Sequence, residues 1–113
     1  MMNVMAIDDC KARIEYDPDI EMFRGEFIGL NGGADFYAAD ASGLKYEGEI
    51  SLKMFKGICR EKGKPYRRGY SGELRLRLSP ELHLEVATKA AQEGQSINKW
   101  LVSTVSQAVS ISP

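Results

Sequence analysis

The sequence predicts an α+β protein built in two parts. The N-terminal part reads as a small antiparallel sheet with one helix, the C-terminal part as a lone strand followed by two helices. Three observations carry this. The first sixty residues alternate apolar and polar positions between turn signals. A glycine-rich, basic stretch, "GKPYRRGYSG", interrupts the chain from Gly63 to Gly72. Beyond it lie two helical patterns with clear starts and stops. The chain has 113 residues, enough for one ordinary domain or two very small ones.

In the first part, Lys11 to Tyr16 alternates through Ala12, Ile14 and Tyr16, and "DPD" at Asp17 to Asp19 turns the chain. Met22 to Leu30 is a second strand. "NGG" at Asn31 to Gly33 is a hairpin signal, and Asp35 to Ala39 a third strand. A helix is expected from near Ser42 to Lys62, burying Leu44, Leu52, Phe55 and Cys59 together with Met54 and Ile58. Gly48 and Gly57 should weaken it by about 1 kcal/mol each relative to alanine. The organisation is then a first domain over 1–62, a linker over 63–70 and a second domain over 71–113.

The second part opens on "GELRLRLSPE", Gly72 to Glu81. Leu74, Leu76 and Leu78 alternate with Glu73, Arg75 and Arg77, so one face is dry and the other charged. Ser79 caps a helix beginning at Pro80, and Glu81 suits the positive end of its dipole. Leu82, Val86 and Ala90 stack along it, and Gly94 stops it. Ser96 caps the last helix, whose stripe is Ile97, Trp100, Leu101, Val105, Ala108 and Val109.

One strand and two short helices cannot close a core. The strand must join the first part's sheet or pair with the same strand of a second chain. In the second case Leu74, Leu76, Leu78, Trp100, Leu101 and Val105 form a dimer core. The outer face of a two-stranded ribbon then carries Glu73, Arg75 and Arg77 from each chain. Such a ribbon fits the major groove of B-DNA, where arginine reads guanine and glutamate can accept from cytosine. The last helix would set the N-terminus formed by Ser96, Ile97 and Asn98 against a phosphate, or serve as an ordinary cap. Arg67 and Arg68 reach phosphates on one reading and belong to a solvated linker on the other.

Charge divides the same way. Residues 1–59 hold 6 basic and 11 acidic side chains, residues 60–113 hold 9 and 5. The basic half suits nucleic acid, the acidic half a basic partner or water. No apolar run approaches the roughly 18 residues of a membrane span, and the N-terminus lacks the features of a signal peptide, so the cytoplasm is the expected compartment. Cys10 and Cys59 read as small buried thiols, and His83 with them lacks metal-ligand spacing, so no metal or other cofactor is expected. Asp8, Asp9, Asp17, Asp19, Asp35 and Asp40 raise the thought of a two-metal nuclease, but they fall at turns and strand ends, where aspartate is common. No catalytic residue is expected.

The run from Tyr70 to Val109, including "LRLRLSPELH" and the turn "EGQSINKW", resembles a ribbon-helix-helix domain of the Arc and MetJ type. The whole chain, with "GEFIGL" and "ADFYAADASGL" ahead of that run, resembles the HicB-type antitoxins. That resemblance implies a degraded ribonuclease-H-like first domain that binds and blocks a HicA-like, RNA-cleaving toxin. It also implies a homodimeric or larger second domain that binds the operator of its own genes. Two features differ from the family's usual pattern: the acidic Glu73 on the ribbon, and the two glycines in the first helix. A stand-alone ribbon-helix-helix repressor, with a first part that senses a ligand or oligomerises, is the alternative. A nuclease with a DNA-targeting tail is a third reading.

Overall fold

A computed structural model describes residues 3–112. The chain divides into two units, one ending at Ser71 and one beginning at Gly72.

The first unit is a four-stranded antiparallel meander in the order β1-β2-β3-β4, followed by one long helix. The strands are β1 (Asn3–Ile7), β2 (Cys10–Asp17), β3 (Met22–Ile28) and β4 (Asp35–Ala38), and the helix is α1 (Ala41–Glu61). The alternation predicts three strands here, and the structure adds a fourth, β1. Its partner is β2, with Ile7 opposite Cys10 and Asn3 opposite Ile14. The Asp8–Asp9 turn lacks glycine, although Asp8 takes a positive φ of 52°. The short apolar run Val4–Ile7 ending at this pair was the available signal.

Side chains alternate as a half-buried sheet requires. Ile7, Cys10, Ala12, Phe27, Phe36 and Ala38 are buried beneath α1. Lys11, Arg13 and Glu15 stand on the wet face of β2. There Arg24 pairs with Asp35 at 2.6 Å and with Glu26 at 2.9 Å, and Arg13 also pairs with Glu26. Cross-strand register sets Arg13 opposite Glu26, while Glu26 faces the like-charged Asp35 and Arg24, two residues before Glu26 on the same strand, bridges to both carboxylates.

The "NGG" stretch does not form a two-residue hairpin. The last β3–β4 ladder pair is Glu26 with Asp35, and a wide loop lies beyond it, with Gly29 at φ +79°. Asn31 has another task there: its backbone N–H donates to the Tyr66 carbonyl at 2.8 Å and its side-chain amide to the Pro65 carbonyl at 3.2 Å.

Asp40 caps α1, its carboxylate accepting from the Gly43 N–H at 2.7 Å. The buried stripe is Leu44, Gly48, Leu52 and Cys59, with Phe55 beside it. Met54 and Ile58, expected inside, are 64% and 49% exposed. Gly48 replaces them as the contact residue, because α1 comes so near the sheet that a β-carbon there would lie 2.9 Å from Ile7 Cδ1 and from Phe36 Cε2. Gly57 has nothing within 4 Å of that position. The two glycines should therefore behave oppositely. Gly57→Ala is expected to stabilise the unit by about 0.5–1 kcal/mol, and Gly48→Ala to destabilise it. Thermal unfolding of both variants checks this; shifts of the same sign would contradict the close approach of α1.

The second unit contains α2 (Pro80–Gln92) and α3 (Ile97–Val109). Ser79 Oγ accepts from the Leu82 N–H at 3.2 Å, and Gly94 ends α2 at φ +66°. Among the described residues of this unit, only Val86 and Ala90 are buried. Among its described residues, 72–79 take no part in a strand ladder.

Candidate nucleic-acid interface

The segment between α1 and Gly72 is fastened to the first unit. The Lys64 N–H donates to the Cys59 carbonyl at 2.9 Å, and the Arg68 N–H to the Gly29 carbonyl at 2.8 Å. Asp9, on the β1–β2 turn, is the centre of this attachment. Its carboxylate takes Lys56 Nζ at 2.8 Å, the Tyr66 hydroxyl, and the Arg67 guanidinium at 3.0 Å. Arg67 also donates to the Asp9 carbonyl at 2.7 Å. The Lys56 ammonium first, then Tyr66 and Arg67, hold the Asp9 carboxyl far below the usual carboxylate range. The Tyr66 and Asp9 oxygens in turn hold the Arg67 guanidinium above its ordinary value. The sequence offered no sign of this cluster, because its members lie 47 to 58 positions from Asp9.

Of the two arginines that phosphate contact or a solvated linker could each explain, Arg67 is thus engaged with Asp9. Arg68 lies over the Tyr70 ring, 5.8 Å from its centroid. Both sit in the first unit, whereas Arg75 and Arg77 sit in the second.

In the second unit Glu73, Arg75 and Arg77 are exposed, as are the residues between them. Neither arginine forms an ion pair among the described residues. Leu74 and Leu76 are 94% and 62% exposed, and Leu78 is half-buried. Ser96 caps α3, its hydroxyl accepting from the Lys99 N–H at 3.1 Å, so Ser96, Ile97 and Asn98 share one helix start. Its free N–H groups and dipole give that end a positive potential. Trp100 donates its indole N–H to Glu93 across the α2–α3 turn and is half-buried, as is Leu101.

The packing of α3 is the decisive observation. It is the most apolar of the three helices and buries no residue. Val102, Val105 and Val109 are each about half exposed. A partner surface that covered Leu74, which is 94% exposed, would gain roughly 1.5–3 kcal/mol, and about half as much for each of Leu76, Leu82 and these half-exposed valines.

Residues 56–105 match the model of the HicB family. No curated protein and no solved structure matches the chain. The HicB match runs from the last turns of α1 through the attached segment, residues 72–79, α2 and most of α3. It covers less than half of the chain and supports a HicB-type antitoxin of a toxin–antitoxin system. The β-sheet of the first unit lies outside the HicB match.

The carboxylates weighed as a nuclease site are spread over separate duties. Asp17 accepts from the Asp19 N–H at 3.0 Å, Asp35 pairs with Arg24, Asp40 caps α1 and Asp9 holds the attached segment. Among the described residues no three His, Cys, Asp or Glu side chains converge on a point that could hold a metal.

Proposed function

We propose that this chain is the antitoxin and transcriptional autoregulator of a HicAB-like toxin–antitoxin system. Its second unit acts as a homodimeric ribbon-helix-helix. Residues 73–78 of two chains pair as an antiparallel ribbon, Leu74, Leu76 and Leu78 cover the four helices, and Arg75 and Arg77 enter the major groove. The observation that carries this reading is the unburied apolar stripe of α3 together with the alternating segment Leu74–Leu78, which joins no strand ladder among the described residues. A second copy satisfies both at once.

On this reading the arginines read guanine edges, Glu73 lies on the same outer face, and the start of α3 at Ser96, Ile97 and Asn98 clamps a phosphate. The first unit, with the ribonuclease-H-like ancestry that the resemblance implies, masks a HicA-like toxin without catalysing a reaction. The spread of its carboxylates over caps, turns and ion pairs supports a binding role.

The test is titration of the DNA upstream of the chain's own gene, at fixed salt. Arg75→Ala should weaken specific binding by about 1–3 kcal/mol and leave the dimer intact. Unchanged affinity removes Arg75 from the recognition face. One observation favours a second reading: the HicB match leaves the sheet outside it. A stand-alone repressor whose first unit serves another purpose would bind the same DNA and form no complex with a toxin.

A further inference from the structure

The edge strand β4 and the exposed side of α1 form a groove that the DNA-binding reading does not use, and of its lining only Ile58 lies within the family match. From β4's place at the end of the sheet, one of its sides has no ladder partner among the described residues. The Phe27 N–H donates to the Ala34 carbonyl at 3.2 Å. Antiparallel pairs alternate, so Phe36 and Ala38 also bond towards β3, and the N–H and C=O groups of Asp35 and Tyr37 point away from the sheet. The facing wall is α1, where Ile50, Met54 and Ile58 recur every four residues and are 39%, 64% and 49% exposed.

The two walls suit one kind of occupant. Four helical residues advance about 6 Å. Same-face side chains of a strand recur about every 6.6 Å. An extended segment can therefore add to the β4 edge while its alternate side chains meet Ile50, Met54 and Ile58 in turn. Charge narrows the choice further. The charged residues lining the groove are Asp35, which Arg24 already pairs, and Glu47, with no lysine or arginine among the lining residues. Glu47 makes no ion pair among the described residues. A second copy placed here by a two-fold axis would bring another Asp35 and Glu47 to the same groove and no cation from the groove itself. A protein that binds RNA carries lysine or arginine on the surface that meets the phosphates.

We infer that this groove is the docking site for an extended, apolar segment with flanking lysine or arginine on the RNA-cleaving toxin, which adds a strand to β4. This rests on the antitoxin reading and locates its first contact surface.

The test uses the full chain and the small basic protein encoded beside it, carried as an inactive variant, with binding measured by calorimetry. Met54→Lys and Ile58→Lys should each lower affinity at least tenfold, with unchanged circular dichroism and unchanged operator binding. Val4→Lys adds the same charge on β1, at the opposite edge of the sheet, and should leave affinity as it was. In the complex, the amides of Asp35 and Tyr37 should gain protection from hydrogen exchange, which a change in helix stability alone would not give. A complex that tolerates both lysines, or leaves these amides unprotected, overturns the docking site and leaves the antitoxin reading standing. No complex with the wild-type chain overturns both. A fall in the free chain's own oligomeric mass on Met54→Lys would show that a second copy occupies the groove, and the toxin assignment would be wrong.

Discussion

Phe36→Ala is expected to cost the first unit about 3–5 kcal/mol, enough to unfold most of a unit of this size. Phe36 is 4% exposed, and the end of its ring occupies a notch between the sheet and α1. The notch exists because two glycines face it. A β-carbon on Gly25 would lie 2.2 Å from Phe36 Cζ, and one on Gly48 would lie 2.9 Å from Cε2. Phe27 closes another side, its ring centroid 5.1 Å away. With the ring gone, neither glycine has a side chain that can swing in, so the cavity stays open and the contacts of Ile7 and Phe27 are lost with it. Thermal unfolding followed by circular dichroism reads the effect. A variant melting within a few degrees of wild type would mean that α1 does not rest on this ring. Gly25→Ala approaches the same notch from the other side and should also destabilise, by overpacking rather than by a void.

If the second unit is the proposed ribbon-helix-helix dimer, Leu76→Glu should convert it into a monomer and abolish operator binding. Leu76 is 62% exposed in the single chain, so the substitution leaves the contacts within that chain almost untouched. In the ribbon it would instead bring two carboxylates beneath paired strands and over the four helices. Burying an unpaired charge there costs far more than a dimer of this size can supply. Light scattering on the full chain gives the mass, and the same sample gives DNA affinity. A Leu76→Glu chain that stays dimeric would show that residues 73–78 are not the dimer ribbon. Loss of DNA binding with the dimer retained would point to a role for Leu76 outside the ribbon core.

Much of the architecture was legible in the residues. The caps at Ser79 and Ser96, the stop at Gly94 and the spans of α2 and α3 follow from local backbone chemistry, which a single segment of sequence contains in full. β2, β3 and β4 were legible for the same reason: alternation and turn residues are local signals. The strand β1 was not, because its last residue meets a turn of two aspartates and its edge position asks little of its outward side chains.

Three features depend on atoms that meet only after folding. Met54 and Ile58 follow the helical period well enough to read as core, yet the sheet is too narrow to cover them, and α1 turns Gly48 towards it instead. The "NGG" stretch has hairpin composition, but its asparagine is used by Pro65 and Tyr66 from far along the chain. Asp9 looks like any turn aspartate until Lys56, Tyr66 and Arg67 arrive. By itself, the sequence determined where helices start and stop, which faces are apolar, and how charge divides between the two halves, since each depends on neighbours a few residues apart. Only the tertiary structure decided which apolar residues are covered, which glycines are contacts and which arginine is already engaged, because packing and ion pairing are set by distances between remote segments.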